Sequence, residues 1–363
     1  METKNERLTP FMAVPPGAIV KNEMAERKIS QTKFAEMLHI QKSHLSDILK
    51  GKRSISSIAD KIEEVLGIPA RTLVKMQASY EYDKKVIEER GIQEIMAQNE
   101  LEDYNKSFDI KTAISRLGID KKKGFVYTLS LLKDMLSLPC AARMEMNYTH
   151  SFFRKSERTG TDDRMIATWV LLAKYSARKM TVSGRYDKGK IKELTSKLVR
   201  IFNENINVIN RVQAVMSDYG IKFCVVPKVD KASINGYCFL EKGVPSIIIT
   251  MRYNMIDHVA FDTMHELGHV LLHLNEDNDE MINIDGQDYS SKEKEADKFA
   301  SSSIIPDSVW ATSPAVKMNS FIIQRDYSKW ANEKGIHKWI VLGRVSHDTG
   351  ICKFKGDESR KVG

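Results

Sequence analysis

Cysteine is scarce in this chain. Its four cysteines, Cys140, Cys224, Cys238 and Cys352, lie far apart among 363 residues and form no C-x-x-C pair, which argues against a disulfide framework and a cysteine zinc site. No apolar run approaches the roughly 20 residues needed to cross a bilayer. The opening METKNERLTP also lacks the apolar core of a signal peptide. The expectation is a soluble protein without a membrane partner, in a reducing, cytoplasmic setting. Repeats, low-complexity tracts and a long Gly/Ser linker are missing too, so domain boundaries have to be read from changes of pattern.

What is there is charge and enough apolar material for sizeable cores. With 29% charged and 42% hydrophobic residues, a chain of this length is expected to hold two or three domains, and a single small module is excluded. The net charge of +8 favours polyanionic partners, nucleic acid first. It is unevenly spread: residues 257–307 carry 13 acids against 3 lysines, a local balance of −10 that leaves +18 for the rest. An acidic island and a basic remainder suggest separate tasks.

From Gly17 to about Met76 the apolar spacing is helical in short pieces, broken at Lys28-Ile29-Ser30, His39-Ile40-Gln41, Gly51-Lys52-Arg53 and Gly67-Ile68-Pro69. This reads as a bundle of about five helices. Helical spacing continues to about Asn210, with Trp169, Leu171 and Leu172 as core and Arg154, Lys155 and Arg158 as a basic patch. After Val212 come two β-rich runs, Ile221–Val226 and Ser246–Thr250, with Gly236 and Gly243 as turn signals, then an amphipathic helix from about Met255 to Leu274. The expected class is mainly α and multidomain: an all-α bundle over 1–80, an α-helical connector over 81–211, an α+β domain over 212–350, and a polar tail over 351–363 expected to be disordered or to occlude a site.

Within the bundle, Ser30 is a good N-cap for a helix over Gln31–Leu38 whose Phe34, Ala35 and Leu38 point inward. A second helix starts near Gln41 and buries Leu45, Ile48 and Leu49. That leaves Gln41, Lys42, Ser43, His44, Ser46, Asp47 and Lys50 outside, with Lys52 and Arg53 beside its end. Two short helices joined by a tight turn, the second polar outside, suit entry into a DNA major groove. The stretch SQTKFAEMLHIQKSHLSDILKGKRSIS resembles the Xre/Cro helix-turn-helix regulators, and PPGAIVKNEMAERKISQ with LGIPARTLVKMQASYE is similar to their antitoxin branch, HigA. The resemblance implies operator double-stranded DNA as a partner, a homodimer, Gln31 on a phosphate, and Gln41, Lys42, Ser43, His44 and Ser46 on bases or backbone. His39 stands where many members carry Gly, and His tolerates a positive φ better than most residues.

The acidic island contains His265-Glu266-Leu267-Gly268-His269. Positions four apart share a helix face, so His265 and His269 can present two imidazoles to one cation with Glu266 beside it as general base. A third ligand should come from the helix expected over Ser290–Ser303. Glu293 fits, with Asp297 four residues on orienting an imidazole; Glu295 is the runner-up. His258 and His273 flank the motif as possible substrate contacts. Manganese or iron would accept the same donors as zinc.

HELGHVLLH, followed by E-x-E-A-D-x-F-A and Ile304-Ile305-Pro306, resembles the ImmA/IrrE family of zinc-dependent endopeptidases over about residues 212–350. The resemblance implies Zn2+ on His265, His269 and Glu293, and a zincin-like fold. It also implies cleavage of a repressor or antitoxin protein under stress. The function expected is a transcription regulator whose zinc metallopeptidase domain cleaves a regulatory partner, or itself, to relieve repression. The alternative is an antitoxin-like DNA-binding repressor whose peptidase fold is a sensor or a toxin-binding platform with little turnover.

Overall fold

The computed structural model describes residues 12–139, 162–275, 279–284, 290–316 and 319–363. The basic patch at Arg154, Lys155 and Arg158, with Cys140, Glu276 and Asp277, lies outside them. The chain divides into two compact units, Met1–Asn99 and Glu100–Gly363.

In the first unit, α1 (Gly17–Glu26), α2 (Gln31–Met37), α3 (Lys42–Leu49) and α4 (Ala59–Leu66) precede a long helix, α5 (Ala70–Ser107), which begins here and ends in the second unit. Ser30 caps α2 by accepting a hydrogen bond from the Lys33 amide at 3.2 Å, satisfying one of the helix's free donors. The chain turns from α2 to α3 through His39 at φ 55°, the left-handed conformation that Gly usually supplies. Val20, Phe34, Leu38, Leu45, Ile48, Ile62 and Leu73 form the core.

The second unit is a mixed sheet covered on both faces. After α6 (Ile110–Leu117), α7 (Phe125–Leu136), α8 (Asp163–Arg178), α9 (Ile191–Glu204) and α10 (Val208–Asp218) come β1 (Lys222–Val225), β2 (Ile234–Glu241) and β3 (Val244–Ile249). Then follow α11 (Ile256–Leu272), β4 (Glu280–Ile284), α12 (Ser291–Ile304), α13 (Asp307–Trp310), α14 (Ser320–Glu333) and α15 (Lys338–Thr349). The strand order is β1-β3-β2-β4, with β1 parallel to β3 and the other pairs antiparallel.

Side chains alternate across the pleat. Phe223, Cys238, Ile247 and Ile249 join the core built with α9–α12, α14 and α15. Tyr237, Phe239 and Ile248 join Trp169, Val170 and Ala173 of α8 on the opposite face. Residues read from sequence as a connector therefore include one whole cover of the sheet, and Trp169 donates its indole N–H to the Val226 carbonyl at 3.1 Å.

Two expectations are corrected. Gly236 is not at a turn but inside β2, a strand absent from the sequence reading, as is β4. The β2–β3 turn uses Gly243 at φ 80°. A Cβ at Gly236 would stand 2.2 Å from Oε1 of Glu266, so the glycine makes room for that carboxylate. The polar tail is not disordered. Arg360 forms a bidentate pair with the buried Asp257, at 3.1 and 2.7 Å, and the Val208 amide donates to the Gly363 carbonyl at 2.9 Å. Low hydrophobicity argued for disorder, but specific polar pairing docks this segment instead.

Candidate metal centre and nucleic-acid interface

Helix α11 sits under the sheet with its His face toward α12. Gly268 allows the two helices to meet closely, since a Cβ there would lie 3.2 Å from Cα of Ala296 and 3.0 Å from the Phe299 ring. That approach delivers Glu293, in the first turn of α12, to the imidazole pair. Nε2 of His265 lies 3.0 Å from Nε2 of His269 and 3.1 Å from Oε2 of Glu293, and His269 Nε2 lies 3.5 Å from Oε1 of Glu293. Both imidazoles are buried and Glu293 is partly buried.

The remaining ring nitrogens are held as well. His265 Nδ1 lies 2.8 Å from Oδ1 of Asp297, the partner expected from the spacing of α12. His269 Nδ1 lies 2.8 Å from Nδ1 of His273, whose Nε2 is 3.2 Å from Oε2 of Glu295. A carboxylate only accepts, so His273 donates from Nε2 and offers Nδ1 as acceptor. His269 then donates from Nδ1, and its Nε2 lone pair is directed at the cluster. Glu295 thus faces His273 rather than the triad. The chain from Glu295 through His273 escaped sequence reasoning, although His273 follows His269 by the same four residues that pair His269 with His265.

The electrostatics fit a cation site. Burial works against charge on His265, yet Asp297 and Glu293 outweigh it and raise its pKa to about 10; an entering metal must displace that proton. Burial lowers His269. Burial alone would raise Glu293, but the two imidazoles hold it down at about 2. The donor atoms of His265, His269 and Glu293 all lie within 4.8 Å of one another, so two imidazoles and one carboxylate converge as a cation of the zinc type requires.

Glu266 is 1% exposed, and the Cys238 thiol is a polar neighbour of its carboxylate. Burial pushes its carboxyl up to about 8, with His265 acting the other way. The Cys238 thiol, raised well above its ordinary value by burial and then by Glu266, lies in the same buried region. Asn283 on the edge strand β4 places its amide 3.0 Å from His265 Nε2, a contact invisible in sequence because β4 itself was not anticipated. His258 packs beside Tyr253, with ring centroids 4.6 Å apart and the rings tilted by 35°, and is not one of the converging donors. Its pKa is lowered by burial.

In the first unit, Gln41 stands at the N-cap of α3. Gln41, Lys42, Ser43, Lys50, Lys52 and Arg53 are exposed, while Gln31, His44 and Ser46 are partly buried. Leu45, Ile48 and Leu49 anchor the opposite face. Arg53 lies 3.8 Å from Oδ2 of Asp47. Among the described residues, no helix is long and apolar enough to cross a membrane.

A search of the curated proteins finds no match to this chain. Residues 20–73 match the helix-turn-helix family, a span that runs from α1 into the start of α5. The N-terminal unit therefore carries a helix-turn-helix, and through it the chain is a DNA-binding regulator.

Proposed function

We propose that the chain couples this DNA-binding unit to a zinc-dependent endopeptidase of the ImmA/IrrE kind, with a zincin-like fold, that cleaves a regulatory protein to end repression. The observation that carries the reading is the convergence of His265, His269 and Glu293 beside a buried carboxylate, Glu266. A zinc ion, when bound, supplies a Lewis acid that polarises a carbonyl and acidifies water. Glu266 takes the proton of the attacking water at its carboxylate and passes it to the leaving amine. Asp297 and the pair His273–Glu295 keep the two imidazoles in register. A homodimer on operator DNA, through the exposed face of α3, supplies the address.

N-terminal proteomics of cells expressing wild type or Glu266→Gln tests this. New protein termini should appear with wild type and fall by about 100-fold or more in the variant; identical termini would remove the peptidase reading. One observation favours a second reading. With Glu266 and both imidazoles almost fully buried, a substrate needs an opening to reach them, as in an antitoxin-like repressor whose second unit is a sensor or toxin platform. Operator repression that survives Glu266→Gln alongside unchanged termini would favour it.

A further inference from the structure

Asp257, His258, Phe261 and Asp262 lie one to two turns before His265 on α11, and they line a partly open cavity of about 420 Å³ whose other walls come from α12, α15 and the docked tail. That volume lies in the range of small-ligand sites. Phe261 connects the two places, its ring centroid 6.0 Å from that of His265. Phe261, Ile304, Ile305 and Ile340 give the cavity mainly apolar walls.

The two arginines on its lining are paired with other groups, although Nε of Arg344, 3.7 Å from Oδ2 of Asp348, makes no hydrogen bond among the described residues. Arg360 is spent on Asp257. Arg344 donates to the Ile305 carbonyl at 2.6 Å and to Asp307 at 3.2 Å, while its guanidinium lies 4.5 Å from the Trp310 ring centroid. Asp262 is different: this lining carboxyl has no hydrogen bond or ion pair among the described residues. A carboxylate against apolar walls is costly, and burial pushes its pKa up to about 7, with His265 acting the other way and Asp257 adding to the rise.

We propose that the cavity binds a ligand with an apolar stem and a cationic end, whose cation pairs with Asp262 while the stem packs on Phe261, Ile304 and Ile340. A lysine or arginine of a bound peptide and a free alkylamine or alkylguanidine share this chemistry. Only the peptide source rests on the peptidase reading.

The test is calorimetry on full-length Glu266→Gln protein, in which binding is read without turnover. The probes are butylguanidine against n-pentanol, and a blocked alanine pentapeptide with a central arginine against the same peptide with norleucine. The cationic member of at least one pair should bind about tenfold or more tighter, the worth of one charged hydrogen bond. Asp262→Asn should erase that preference, and Cys352→Trp, at the exposed tail residue on the cavity lining, should weaken both members. Preference for the arginine peptide alone assigns the cavity to substrate recognition, and preference for butylguanidine alone to a free small cation. Equal binding of charged and neutral probes, or a charge preference that survives Asp262→Asn, would overturn the proposal. Binding without new protein termini in cells would remove the peptidase reading and leave this one standing.

Discussion

Glu266 and Gly236 belong together at the scale of residues. The carboxylate is buried against the backbone of β2, where a Cβ would come within 2.2 Å of it. Gly236→Ala should therefore displace the carboxylate proposed to move a proton. The expected outcome is a folded protein, less stable by about 1–3 kcal/mol, whose zinc content is kept while Glu266-dependent cleavage falls at least as far as overpacking moves the carboxylate. Mass spectrometry for the metal, thermal unfolding and termini counting would check it; unchanged cleavage would show that Glu266 does not need this clearance. The motif residues were legible because imidazoles four apart on a helix must share a face. Gly236 was not, since an isolated glycine reads as a turn unless the group that crowds it is known.

At the scale of elements, the legible parts were those with a strong local signal. Ser30, the apolar triplet Leu45, Ile48 and Leu49, and the turn at His39 define α2 and α3 without tertiary information. Strands β2 and β4 were hidden for different reasons. β2 is buried on both faces by Tyr237 and Phe239 on one side and Cys238 on the other, so it lacks polar alternation, and β4 is a five-residue edge flanked by acids. The same distinction governs the helix-turn-helix. Lys42→Ala and Lys52→Ala alter exposed cations beside a fixed helix, so each should weaken operator binding evenly across sequences and reduce the salt slope by about 1. Fluorescence anisotropy over a salt series would measure this, and an unaltered slope would place those lysines away from phosphates.

The docked tail is an element the sequence concealed. Asp357 is held below the usual carboxylate range by Lys338 first, then by hydrogen bonds from Ser359, with the Trp339 indole adding a weaker one. A depressed folded-state pKa gives a contribution that is present above the ordinary value of about 3.9 and is lost as pH falls through the folded value. Protection of the amides in residues 351–363, relative to their intrinsic exchange rates, should fall below about pH 4. Arg360→Ala should have the same effect at neutral pH, with a loss of about 3 kcal/mol because Asp257 stays buried without its partner. Tail exchange unaffected by either change would mean that the ion pairs are incidental to docking.

For the whole molecule, charge and chemistry divide along the chain. The basic excess includes the helix-turn-helix, while the acidic segment supplies Glu266, Glu293 and Asp297 around the imidazoles. An address for DNA and a candidate hydrolytic centre in separate compact units should be separable by mutation, with operator affinity retained when the centre is disabled. The claim on which this account rests is that the centre holds zinc. Its most direct test is elemental mass spectrometry on full-length wild type and on the His265→Ala/His269→Ala variant, purified without chelator. The account predicts about one zinc per chain in wild type and none above background in the variant. Wild type without metal, or zinc retained by the variant, would contradict it.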